Sequence, residues 1–390
     1  MSDTTPLLDG VTVLDFATVG PAARCSRVLA DYGAQVVKML PPPSKSGVQI
    51  QPPFFAYSAQ RGMQRVHIDL KAADGTAAFL RLAARADVII ESFRPGVVNR
   101  LGIGYADVRR VNPRIVYCST SGYGQDGPYA QWAGHDLNYL ALAGYLDCTG
   151  RRADGGPPIP GATVADSAGG GMHAAIAILA ALFRRTASGE GTYLDVSVAE
   201  GVLSLRSRHI DQHLATGERP GPGHDILTGR YACYDTYQAR DGKWLAVAAI
   251  EPAFFANLCK GLGLEQWIPH QTDDARQDAL RDAFRAAFAT RDRDAWVAAL
   301  AAANTCVTPV YSVAELVDDP HFRARQLVVD ATHPTHGPFR QLGPLLAGMD
   351  RGAGGRTVPD PVQSDTDALL RAAGMDAAEV ERLRGAGVIA

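Results

Sequence analysis

Two short segments carry the side chains best suited to chemistry. Gly134-His135-Asp136 offers an imidazole beside a carboxylate, and Val164-Ala165-Asp166-Ser167 offers a second carboxylate just before the run Ala168-Gly169-Gly170-Gly171. An imidazole gains and loses its proton near neutral pH, and a positioned carboxylate acts as a general base. Held on opposite faces of one carbon, such groups take a proton from one side and return it from the other, as a racemase or epimerase must. Taken singly, each residue has an ordinary explanation. An aspartate at a helix start is commonly an N-cap, and a histidine after glycine commonly a polar turn residue. Likewise His209 and His213 are spaced as half a metal site, but no third ligand accompanies them, so no metal is expected.

The elements that must position these groups alternate strand and helix. Val11–Phe16, Ala34–Met39, Val66–Leu70, Val88–Glu91 and Ile115–Ser119 read as strands, with helices expected over Pro21–Tyr32 and Gly75–Ala86. A long helix from Asp166 to Arg185 and a strand over Tyr193–Val198 follow. Strands separated by helices imply a parallel sheet covered on both faces. From Ala215 to Gly229 the chain is Gly/Pro-rich and aperiodic, which reads as a linker. A hairpin around Arg240-Asp241-Gly242 and helices at Pro252–Leu262, Asp274–Ala289 and Asp292–Ala303 then suggest a separate α+β unit. The expected fold is α/β: a large Rossmann-like domain over residues 1–214, completed by 334–390, a linker at 215–229 and a smaller α+β domain over 230–333.

Bulk properties narrow the function. At 390 residues the chain is long enough for two domains. A net charge of −3 without basic blocks points away from nucleic acid and anionic membranes. Met172–Phe183 is apolar but too short for a bilayer span, which takes about 20 residues. Six scattered cysteines without a CxxC pair suit reduced thiols, and the N-terminus has no signal-peptide pattern, so a cytoplasmic location is expected. The first strand–helix turn, Ala17 to Ala23, lacks GxGxxG, and no GxxxxGK[ST] occurs, which disfavours NAD and ATP. That turn nevertheless presents N–H groups at a helix start, a serviceable anion site.

Several ordered motifs resemble the class III CoA-transferase family, and within it the α-methylacyl-CoA racemases. They include Asp31-Tyr32-Gly33-Ala34, Glu91-Ser92-Phe93-Arg94-Pro95-Gly96, Ser121-Gly122-Tyr123-Gly124, Gly134-His135-Asp136-Leu137-Asn138-Tyr139, Tyr234-Asp235-Thr236-Tyr237 and Ala249-Ile250-Glu251-Pro252. The resemblance implies that His135 and Asp166 form an acid/base pair acting on a 2-methylacyl-CoA thioester, with Glu251 orienting the histidine and Asp136 as a secondary participant. It implies no cofactor apart from the CoA of the substrate. CoA is expected to bind through Gly20, Pro21, Ala22, Lys38, Arg65, Arg94 and Arg100, with Tyr234 in the acyl pocket. It further implies an interlocked homodimer, with Glu251 reaching the histidine of the other subunit. Transferases of the family usually carry tyrosine where this chain has His135, use the aspartate as a nucleophile and bear a glycine-rich loop in the small domain. CoA transfer through an Asp166 anhydride is the alternative, and a non-catalytic acyl-CoA binder the third reading. Two departures stand out: Gly62-Met63-Gln64 replaces a basic pair, so either Arg61 or Arg65 substitutes or the nucleotide is held differently, and Ser167 stands where racemases often carry an aromatic residue. At a helix start, the dipole is expected to steady an enolate oxygen and lower the Asp166 pKa.

Overall fold

The structure is a computed structural model that describes residues 5–45, 53–349, 351, 356–360 and 364–390. It divides into two compact units. One comprises residues 1–143, 160–207 and 323–390; the other comprises 144–159 and 208–322.

In the first unit, six strands form one parallel sheet. They are β1 (Thr12–Asp15), β2 (Gln35–Leu40), β3 (Gln64–His67), β4 (Val88–Glu91), β5 (Val116–Ser121) and β6 (Thr192–Ser197), in the order β3-β2-β1-β4-β5-β6. The order reverses between β1 and β4, and at such a switch point the diverging connections leave a crevice beyond the strand ends. Alternating side chains serve two cores. Val13, Val36, Val88 and Ile90 face helix α1 (Gly20–Asp31). Leu14, Val37, Met39 and Ile89 face α2 (Ala73–Ala83) and the C-terminal helices Thr366–Ala372 and Ala377–Gly385. The chain end adds to the sheet edge through an antiparallel bridge between Ile68 and Ile389.

Helices α3 (Val97–Arg100) and α4 (Tyr105–Val111) complete the early crossovers, and α5 (Asp136–Leu142) starts directly after His135. The long helix expected from Asp166 runs over Ala165–Ser188, 24 residues. Its first part, Ala165–Met172, is wound as a π-helix, and it continues as α6 (His173–Ser188). Its length and composition would suffice for a bilayer span, beyond what the apolar stretch Met172–Phe183 suggests; yet Ala165, Gly169, Gly170, Ala174 and Ile178 are buried against the protein. Helix α7 (Val198–Leu205) follows β6 and packs on the π-helical turns. A small sheet unexpected from the sequence joins Val328–His333 to Gly337–Leu342 and Arg356–Thr357, so residues 323–333 belong with the first unit.

The second unit holds a three-stranded antiparallel sheet of Tyr234–Gln238, Trp244–Ala248 and Val307–Pro309. Helices Pro252–Leu262, Gln277–Phe288 and Arg293–Leu300 enclose a core around Phe255, Phe284 and Phe288. The stretch read as a linker, 215–229, lies within this unit, where Asp225 caps the turn Ile226–Thr228 and accepts from Arg208 at 2.6 Å.

Candidate active site

The site is built where the β1–α1 turn meets the start of the π-helical segment. Close approach depends on missing side chains. A Cβ on Gly170 would lie 2.5 Å from the Cβ of Pro21, and one on Gly201 would lie 1.8 Å from the carbonyl oxygen of Gly169. Such contacts are far inside van der Waals distance, so the glycines let α1 and α7 pack directly on the backbone that carries Asp166. Gly134 serves a similar purpose: a Cβ there would stand 2.7 Å from the Tyr123 hydroxyl.

A cavity of about 320 Å³ results, lined by Gly20, Pro21, Arg94, His135, Tyr139 and Asp166 among others. His135 is the N-cap of α5; its backbone N–H donates to Asn138 Oδ1 at 3.0 Å, and its ring is left exposed. Tyr139 donates to the Gly134 carbonyl at 2.6 Å, which anchors the turn before the histidine. Burial pushes the Tyr139 hydroxyl up to about 12, with Tyr123 and Asp166 adding to the effect.

Asp136 turns away from the histidine, and its Oδ1 accepts the backbone N–H of Asp166 at 2.9 Å. One aspartate therefore ties the start of α5 to the start of the helix bearing the other, a positional task that the sequence did not reveal. Asp166 itself lies inside the first turn, with Val164 as N-cap. Its carboxyl is raised above the usual aspartate value: burial is the largest cause, opposed by the charge of Arg24, reinforced by Asp136 and opposed by His135. The expectation of a dipole-lowered aspartate fails because loss of water around the half-buried carboxyl outweighs the favourable field.

The expected CoA ligands separate into two groups. Gly20, Pro21 and Arg94 line the cavity, and Arg94 and Arg100 are exposed. Lys38, by contrast, is 2% exposed; its ammonium lies 2.6 Å from Asp15 Oδ2 and also donates to the Ala17 carbonyl, while Asp15 Oδ1 accepts the Ala17 N–H at 2.8 Å. Lys38 thus braces the β1–α1 turn from beneath. Arg65 is likewise turned inward, donating to the Asp360 carbonyl and to Gln60 Oε1 at 3.2 and 3.1 Å. Arg61 is buried, and its Nη2 donates to both carboxylate oxygens of Asp31, each at 3.0 Å. These three cations are spent on the fold because buried charge requires a partner. Ala22 is wholly buried in the core under α1. The anion site expected at the first turn is partly used as well, since the Gly20 N–H donates to the Tyr57 hydroxyl at 2.9 Å.

Glu251 and Tyr234 belong to the second unit. Glu251 is the exposed N-cap of Pro252–Leu262, and Tyr234 is half-buried on the hairpin opposite Ala248. Sequence reasoning missed Arg24, whose guanidinium lies 3.5 Å from the Asp166 carboxylate. A signal existed, since Arg24 sits one helical turn after Gly20 and so projects back over the turn.

The family model for CoA-transferase family III matches residues 8–363. The chain is 34% identical over 389 residues to the alpha-methylacyl-CoA racemase of Homo sapiens, covering 98% of this chain and 97% of that protein. It is 30% identical over 349 residues to the acetyl-CoA:oxalate CoA-transferase of Acetobacter aceti, covering 84% and 88%. A CAIB/BAIF family protein from Brucella suis superposes with a TM-score of 0.76 at 27% identity, over 94% of this chain and 98% of that one.

Proposed function

The chain belongs to CoA-transferase family III, and we propose that it interconverts the (R) and (S) forms of 2-methylacyl-CoA thioesters. The observation that carries this reading is the placement of His135 and Asp166 on one cavity, each on a separate element. A thioester carbonyl acidifies the neighbouring C–H by drawing the developing charge onto oxygen. One group of the pair removes that proton, and the other protonates the resulting enolate from the opposite face. An Asp166 carboxyl raised above its usual value is better matched to this exchange than an ordinary aspartate, since proton transfer is easiest near matched pKa. Arg94 and Arg100, exposed at the same sheet end, are assigned to the CoA phosphates.

The test is solvent exchange. Incubated in deuterated buffer with a single enantiomer of a 2-methylacyl-CoA and no acceptor acid, the protein should incorporate deuterium at the α carbon and erase optical activity. His135→Ala and Asp166→Ala should each cost orders of magnitude in kcat with CoA affinity nearly intact. Absence of exchange, with hydroxylamine trapping an acyl group on Asp166, would replace the reading with CoA transfer.

Family resemblance also supports a homodimer with Glu251 orienting His135 of the other subunit. Apolar residues on one face of α6 suit a covered surface, with Ile176 and Phe183 exposed by 65% and 80%. Sedimentation velocity should give the mass of two chains.

A further inference from the structure

Arg24 has the geometry of a built part of the site. One of its nitrogens, Nη1, lies 3.5 Å from Asp166 Oδ2 and donates to the Gly20 carbonyl at 3.1 Å. The other, Nη2, donates to Thr163 Oγ1 at 2.7 Å. The guanidinium carbon stands 5.3 Å from the centre of the Tyr57 ring, whose hydroxyl holds the Gly20 N–H. An arginine at a helix surface ordinarily extends into water and loses little by doing so. This one is fixed from three directions, and its two nitrogens join the β1–α1 turn to the turn that opens the Asp166 helix. Only about a quarter of its side chain, and less of Asp166, remains exposed, 26% and 18%.

Resting on the racemase reading, we propose that Arg24 is a positioning residue, holding the Asp166 carboxylate in one orientation and in the ionised form that accepts the α proton. Among the described residues, the charged or titratable groups around Asp166 are Arg24 from α1, and His135, Asp136 and Tyr139 from the start of α5, with Arg94 on the same cavity. The α7 face packed against this turn contributes Val198, Gly201 and Val202, which carry no charge. Arg24 is the strongest of the groups that favour the carboxylate, ahead of His135, while burial and Asp136 favour the acid. Its influence falls on the proton shared by the catalytic pair. When Asp166 is the base, the carboxylate must exist before the proton moves; when His135 is the base, Asp166 must already hold its proton. Both directions start from a pair holding one proton between Asp166 and His135, so by resisting a second proton on Asp166 Arg24 extends that state to lower pH for both.

Arg24→Met keeps the aliphatic stem and removes the charge, and Arg24→Lys restores the charge without the fork. Initial rates from each enantiomer, measured separately across pH, read both arms. In Arg24→Met the acid limb of kcat should move up by about one pH unit in both directions alike, since the equilibrium constant fixes the ratio of the two rates, a loss of about tenfold well below the limb. KM should change little, and Arg24→Lys should recover most of the shift. Equal, pH-independent losses in both directions would make Arg24 a structural residue and overturn the proposal. A second readout does not depend on turnover: the Asp166 carboxyl, labelled with ¹³C and assigned through Asp166→Asn, should titrate higher in Arg24→Met than in the wild type. An unmoved titration overturns the role of Arg24 whatever the reaction is. A wild-type protein without exchange, but with the shifted titration, overturns only the racemase reading.

Discussion

Asp136 gives the sharpest test of how this site is assembled, because its carboxylate has two separable effects on Asp166. It accepts the Asp166 N–H at 2.9 Å, and its negative charge favours the protonated form of the neighbouring acid. Asp136→Asn removes the charge and can keep the acceptor; Asp136→Ala removes both. For two carboxyls on the order of 5 Å apart, water-like screening gives about 0.8 kcal/mol. That corresponds to about 0.6 pH unit in the Asp166 titration. Losing a negative neighbour lowers the pKa, so the acid limb of exchange should move down by about that amount in both variants and from either enantiomer. Only Asp136→Ala should also lose the cap, at about 1 kcal/mol of stability. The assays are the pH dependence of α-proton exchange for each enantiomer and the urea midpoint. An acid limb that moves up in Asp136→Asn, or equal stability of the two variants, would refute the reasoning.

Two further outcomes follow from buried features nearby. Glu91 is 1% exposed, and burial pushes its carboxyl up to about 7. Between the ordinary glutamate range and that value the folded chain keeps a proton that the unfolded chain has released, so stability should fall as pH rises through this window and level off above it. The penalty is about 3 kcal/mol, and Glu91→Gln should flatten that part of the curve, measured by urea unfolding at successive pH values. Gly201→Ala places a methyl group where the Gly169 carbonyl stands, so α7 must move away from the Asp166 turn. The change should cost about 1–3 kcal/mol of stability and lower kcat more than it raises KM, as steady-state kinetics beside denaturation will show.

Much of the first unit could be read from the chain because its signals are local. The β-strands of the six-stranded sheet are short apolar runs that need only their own residues to be recognised, and Gly33 ends the helix between two of them. The hairpin of the second unit was equally plain, since its turn residues and alternation lie within one stretch. By contrast, the sheet that joins Val328–His333 to Gly337–Leu342 and Arg356–Thr357 is not legible in the sequence, because its two longer strands are half-exposed and weakly patterned. By residue type Lys38 and Arg65 suit phosphate, yet both are turned inward. A cation's residue type says nothing about whether a carboxylate or carbonyl waits beneath it.

The residue types and their order determined by themselves that this chain carries an imidazole and a carboxylate in family positions, on an alternating α/β frame. Tertiary structure alone decided what surrounds those groups. It put Asp136 on the backbone of Asp166, set Arg24 against the carboxylate, and let burial win over the helix field. Secondary structure follows from interactions among near neighbours in sequence, whereas charge, solvation and reach depend on groups brought together by folding from distant parts of the chain.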